Sequence, residues 1–121
     1  MLKDKSFDFA VRIVKLYSYL ITKKTEYVMS KQVLKCGTSI GANVREAYNA
    51  ESKKDFMHKL AIAQKECDET SYWLELLKET GFIRSIEFES ISKDATVLLK
   101  IIRSSVLTAK HNLNKRNEQP T

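Results

Sequence analysis

The stretch GTSIGANVREA, residues 37–47, sets two glycines and two hydroxyls beside an asparagine and an Arg-Glu pair, the residue types from which phosphate-holding loops are made. Such a loop needs its glycines between a strand and a helix, with free backbone N–H groups and usually a closing lysine. No strand precedes this stretch and no Gly-Lys-Ser/Thr follows it. Gly37 and Gly41 are instead four apart, on one side of a helix, where each costs about 1 kcal/mol relative to alanine. That cost predicts a seam at which a neighbouring backbone comes close.

Other chemistry is looked for and not found. Carboxylate-bridged di-iron bundles need Glu-x-x-His on two helices, and the nearest pattern is a single Asp55-x-x-His58 at a helix start. Helical ribonuclease domains place a histidine four to six residues after an arginine, whereas Arg103 and His111 are further apart. Cys36 and Cys67 have no ligand spacing and no Cys-x-x-Cys partner, so they are expected as small buried hydrophobes. Cys67 precedes Asp68 and Glu69, which should raise its thiol pKa and make it a poor nucleophile. No catalytic residue, metal site or cofactor is expected.

Basic residues supply a candidate binding surface. Lys93, Lys100, Arg103 and Lys110 fall within an arc of about 100° on one helix, opposite its apolar seam. Lys31, Lys35 and Arg45 face away from the core of another. A run of charge is most simply a solvated face, but repeated copies of a weak basic stripe act multivalently on a polyanion such as RNA or DNA. The formal charge of +6 is segregated as +5 over residues 1–50, −2 over 51–80 and +3 over 81–121. Such an excess permits phosphate contact without requiring it.

These residues need helices to hold them. With 43% hydrophobic and 30% charged residues but one proline and three glycines in 121, the chain reads as one globular all-α domain. The first amphipathic run, about residues 4–23, carries two stripes, Phe7, Val11, Val14, Ser18 and Ile21 beside Phe9, Ile13, Leu16 and Leu20. It is expected to be buried on two sides, leaving Asp8, Arg12, Lys15 and Tyr19 to water. A second run starts at Ser30 as N-cap and continues to about Asn49, with Val33, Gly37, Ile40, Val44 and Ala47 as its seam. The third begins at a capping-box-like Ser52–Asp55, follows Phe56, Leu60, Ala63, Cys67, Leu74 and Leu77, and stops at Gly81. The fourth runs from Ser85 to about Asn114 along Phe88, Ile91, Ala95, Leu98, Ile102, Val106 and Ala109. Short joints between them predict an antiparallel up-down-up-down four-helix bundle over residues 1–115, with 116–121 as a frayed tail. No apolar run reaches membrane-spanning length and MLKDKSFDFA lacks the features of a signal peptide, so the expected location is the cytoplasm.

Two further stripes exceed what one bundle hides. Ser39, Asn43 and Glu46 adjoin the seam of the second helix, and Ile62, Glu66, Glu69, Trp73 and Leu76 step along the third, carboxylates between large apolar groups. Val97, Ile101 and Leu107 lie outside the seam of the fourth. Mixed stripes of this kind occur where helices meet across subunit boundaries and half-buried acids find donors. The expectation is an obligate homo-oligomer.

The motifs SIGANVREA (Ser39, Ile40, Asn43, Val44, Glu46, Ala47) and FMHKLAIAQKECDETSYWLELLKETGFI (from Phe56, with Glu66, Glu69, Thr70, Tyr72 and Trp73) carry a family likeness. They resemble the four-helix-bundle proteins encoded in intervening sequences of bacterial 23S ribosomal RNA genes. The resemblance implies a bundle assembled as a ring, commonly a pentamer, with no known catalytic activity. The chain is also similar to accessory proteins of diversity-generating retroelements, which associate with RNA and reverse transcriptase through basic surfaces. Many relatives have a proline before the second helix and arginines ahead of the Ser-Ile motif, where this chain reads TEYVMSKQVLKCGTSI with Lys31 and Lys35 only. Beside the nucleic-acid reading stands a scaffold that docks protein alone.

Overall fold

The computed structural model describes residues 1–118, with side chains through residue 115. Four helices account for almost all of it: α1 (Leu2–Thr22), α2 (Met29–Tyr48), α3 (Lys53–Glu79) and α4 (Ser85–Glu118). Each packs against its neighbour in sequence, and α4 closes more loosely against α1. Among the described residues the diagonal pairs, α1 with α3 and α2 with α4, bring no two Cα atoms within 8 Å of one another. This is the up-down-up-down bundle expected from four seams and short joints.

One inward stripe from every helix meets in the core. Phe9, Ile13 and Leu20, then Val33, Ile40, Val44 and Ala47, then Leu60, Ala63, Leu74 and Leu77, then Ile91, Ala95, Leu98 and Ile102 are all buried. The second stripe of α1 is not part of it. Phe7, Val11 and Val14 are 55%, 40% and 49% exposed, which corrects the expectation that α1 is covered on two sides. A helix at the corner of a four-helix bundle has one inward face, and Phe9, Ile13 and Leu20 occupy it. Two residues assigned to water are also not free: Arg12 binds Asp94 at 2.7 Å and Ser90 at 2.6 Å across the α1–α4 seam, and Tyr19 packs on the core.

The helix ends follow local chemistry. Ser52 caps α3, its hydroxyl accepting from the Asp55 N–H at 3.1 Å. Gly81, at φ +83°, ends α3, and the Phe82 and Gly81 N–H groups donate to the carbonyls of Leu77 and Lys78 in a Schellman arrangement. Ser30 is not the cap of α2. It lies inside the helix, fully buried, with its hydroxyl donating to the Glu26 carbonyl at 2.8 Å. Glu26 does the capping, one carboxylate oxygen accepting from Val28 and Met29 (2.8 Å each) and the other from Ser30 (2.7 Å). Three orphan N–H groups and the positive end of the helix dipole favour an anion there over a hydroxyl. The helix α4 continues to Glu118, beyond the expected end near Asn114 and into the segment expected to fray; residues 119–121 lie outside the described ones. No described helix is long and apolar enough to cross a membrane.

Candidate assembly face and basic stripes

The glycines of GTSIGANVREA make a helix seam. A Cβ on Gly37 would stand 2.8 Å from Ile13 Cγ1, and one on Gly41 would stand 3.2 Å from the Ser6 carbonyl oxygen. The missing Cβ at these two positions lets α1 and α2 pack backbone to side chain at Gly37 and backbone to backbone at Gly41.

On the other flank of α2 the motif residues line up with those of α3. Lys59 reaches Glu46 at 3.6 Å, and the buried Cys36 thiol lies beside the buried Thr70 hydroxyl, which fixes the antiparallel register. Ser39, Asn43 and Glu46 therefore run alongside Ile62, Glu66 and Glu69 on one α2–α3 face. Ile62, Glu66, Trp73 and Leu76 are half-buried, and Glu46 and Glu69 are exposed. Within the chain the polar groups are turned inward on their own helices: the Ser39 hydroxyl donates to the Lys35 carbonyl at 2.6 Å, and the Asn43 amide to the Ser39 carbonyl at 2.8 Å. The Trp73 indole N–H donates to Glu69 over a long 3.4 Å, and the ring stands edge-on to exposed Tyr72, centroids 5.1 Å apart.

The seven basic candidates are all exposed but do not form one patch. Lys31, Lys35 and Arg45 project from α2, with Arg45 6.0 Å from the Phe7 ring centroid on the α1 side. Lys93, Lys100, Arg103 and Lys110 belong to α4, on the diagonal from α2. None of the seven joins an ion pair among the described residues.

Both thiols are buried and held protonated. Burial pushes Cys67 up to about 11, with Asp68 adding to it, and Cys67 Sγ lies 3.4 Å from the Ala95 carbonyl. Sequence proximity to Asp68 was the lesser part of that effect. Burial also raises Cys36, against the neighbouring Thr70 hydroxyl and with help from Glu69 and Glu66. His58 and His111 are exposed. No group of three or more His, Cys, Asp or Glu with metal-holding geometry occurs among the described residues.

Two features went unread in the sequence. Glu26 carried a signal, an acid just ahead of an apolar-periodic run. The exposed stripe of Phe7, Val11 and Val14 carried none, since a second apolar stripe on a helix looks alike whether it meets core or surface.

No curated protein matches the chain. A crystal structure from Bacteroides thetaiotaomicron VPI-5482, described as a protein with unknown function from the S23 ribosomal protein family, superposes with a TM-score of 0.87 at 54% identity, over 88% of this chain and 98% of that one. The family model for the 23S rRNA-intervening sequence protein matches residues 2–104. With its motif stripes, helix order and core all inside that span, this chain belongs to the family of 23S rRNA-intervening sequence proteins.

Proposed function

We propose that this protein is a non-enzymatic, cytoplasmic bundle that assembles with copies of itself through the α2–α3 face. The assembly is a ring, as the family resemblance implies, commonly of five, and it meets the phosphate backbone of RNA or DNA through the basic edge of α4. The observation that carries the nucleic-acid contact is the row of Lys93, Lys100, Arg103 and Lys110, exposed along one helix and without an ion-pair partner among the described residues. Such side chains neutralise phosphates and release counterions without reading bases. Self-association is supported by half-buried Ile62, Trp73 and Leu76 interleaved with Glu66 and Glu69, a composition found where helices cross subunit boundaries.

Filter binding of a generic structured RNA across a salt series tests the reading. Retention at low salt that falls steeply as salt rises is expected; no retention at low salt removes the nucleic-acid contact. A protein-docking scaffold is the second reading, favoured by the division of the basic residues between diagonal helices, which gives no continuous phosphate track on one subunit.

A further inference from the structure

The helix α4 outruns α1. Arg12 meets Ser90 and Asp94 and the two helices run antiparallel, so at about 1.5 Å per residue Leu2, where α1 begins, stands level with about Ile102. The flank of α4 that carries Ser90 and Asp94 goes on past that level through Ser104 and Thr108, about four turns further along. There it looks across to the end of α2 and the joint into α3, and between them lies a hollow of about 680 Å³.

The two walls of this hollow differ in chemistry. On one side half-exposed Tyr48 and half-buried Phe56 stand edge to face, centroids 5.8 Å apart, beside the small residues Ala47 and Ala50. On the other are Ser104, Thr108 and Asn112 of α4, exposed and spaced i, i+4, i+8. Other hydroxyls of α4, those of Thr96 and Ser105, bend back onto the Ser92 and Ile101 carbonyls at 2.9 Å. The side chains of Ser104, Thr108 and Asn112 make no such bond among the described residues, so their donors and acceptors stay available. The charges on the lining, Glu51 and Lys53, offset one another, and neither is tied up in an ion pair among the described residues.

This combination selects its occupant. An aliphatic chain or an apolar helix laid in the hollow would bury three polar heads without partners, which is costly. A free anion would meet as much negative as positive charge. A flat, uncharged heterocycle with a polar edge satisfies both walls, and the volume lies in the range of small-molecule sites. We propose that the hollow receives one nucleobase, its face on the Tyr48 and Phe56 rings and its edge on Ser104, Thr108 and Asn112, with the sugar and phosphate at the mouth beside Lys53. The base comes from a free nucleoside or from an unpaired end of RNA; the second source rests on the nucleic-acid reading above. Stacking on an aromatic ring is tolerant of base identity, so the site adds a preference for an unpaired base rather than for a sequence.

Two probes separate the sources. Adenosine and cytidine are titrated by ligand-observed saturation-transfer NMR, with ribose 5-phosphate as the control that lacks a base. A fluorescent RNA duplex with blunt ends is compared by anisotropy with the same duplex carrying a two-nucleotide single-stranded end. Saturation of the base protons, none of ribose 5-phosphate, and about tenfold tighter binding of the overhanging duplex are expected. Tyr48→Ala should abolish the nucleoside signal and bring the overhanging duplex down to the affinity of the blunt one. Thr108→Val combined with Asn112→Leu, both at exposed positions clear of the core, should cost about fivefold or more and carries the test should Tyr48→Ala fail to fold. Nucleoside binding without an overhang preference assigns the hollow to free nucleosides, and if neither duplex binds it is the nucleic-acid reading alone that fails. An overhang preference lost in the variants, without detectable nucleoside binding, assigns it to RNA. No nucleoside signal together with an overhang no better than a blunt end overturns the proposal, as does either effect surviving both Tyr48→Ala and the Thr108–Asn112 pair, or ribose 5-phosphate binding as well as the nucleosides.

Discussion

Gly37 lies directly beneath Ile13: a single methyl group added at its Cα would come within 2.9 Å of two Ile13 side-chain carbons. Ile13 is fully buried and β-branched, so its side chain has no alternative rotamer to retreat into. The close approach of α1 to α2 is set there.

Replacing Gly37 by alanine should therefore lose more to overpacking than it gains from about 1 kcal/mol of helix propensity. A net loss of about 1–2 kcal/mol is expected in urea unfolding. Gly41→Ala meets the Ser6 carbonyl group, its oxygen at 3.2 Å and its carbon at 3.4 Å, a milder approach than that of Gly37, and should stay within about 0.5 kcal/mol of the parent. A Gly37→Ala protein as stable as the parent would show that the seam can slide.

Glu26 is 7% exposed and accepts three backbone N–H bonds at the start of α2. Burial alone would raise its carboxyl, but the bonds from Met29, Ser30 and Val28 outweigh that and hold it below the ordinary carboxylate value of 4.5. Its contribution is complete above that value and is lost as pH falls through the lower, folded-state pKa. Glu26→Gln should cost about 1–3 kcal/mol near neutrality and flatten the acid side of the stability profile, measured by chemical denaturation between pH 7 and pH 3.

Neutralising Lys93, Lys100, Arg103 and Lys110 with glutamine should weaken binding to all RNA sequences about equally. The slope of log affinity against log salt should flatten by about 0.7–0.9 for every phosphate that is no longer neutralised. A change that depends on RNA sequence, or an unchanged slope, would place the nucleic acid on another surface.

The thiols should be silent in the native protein. Cys36 and Cys67 are 2% and 0% exposed, and with Cys67 pushed up to about 11 its thiolate at pH 8 is about one part in a thousand. Both should react with a thiol reagent within seconds in denaturant and only over the timescale of global opening without it. Rapid native labelling of either would contradict the packing of α3 against α2 and α4.

Most of the bundle was readable because its signals are local and periodic. The seams Val33–Ala47, Leu60–Leu77 and Ile91–Ile102 are buried as their 3.6-residue spacing implies, and Ser52 and Gly81 end α3 where short-range hydrogen bonding directs. Ser30 misled because the residue type of a cap was present one turn from the true one, and only the path of the loop brings the Glu26 carboxylate over the helix end. The candidate face was readable in part: spacing alone put Ile62, Glu66, Glu69 and Trp73 on one stripe, and register then set Asn43 and Glu46 beside them.

By itself, the sequence determined the helices, their order, the inward stripe of three of them, the absence of a strand–loop–helix phosphate site and the family likeness, because each depends on residues a few positions apart. Tertiary structure alone decided which of two apolar stripes on α1 faces inward, that Arg12 belongs to Asp94, that the basic residues divide between diagonal helices, and that Phe7, Val11 and Val14 are left exposed. Those are relations between segments far apart in the chain, fixed by side-chain volume at contacts such as Gly37 against Ile13, and periodicity within one helix holds no information about them.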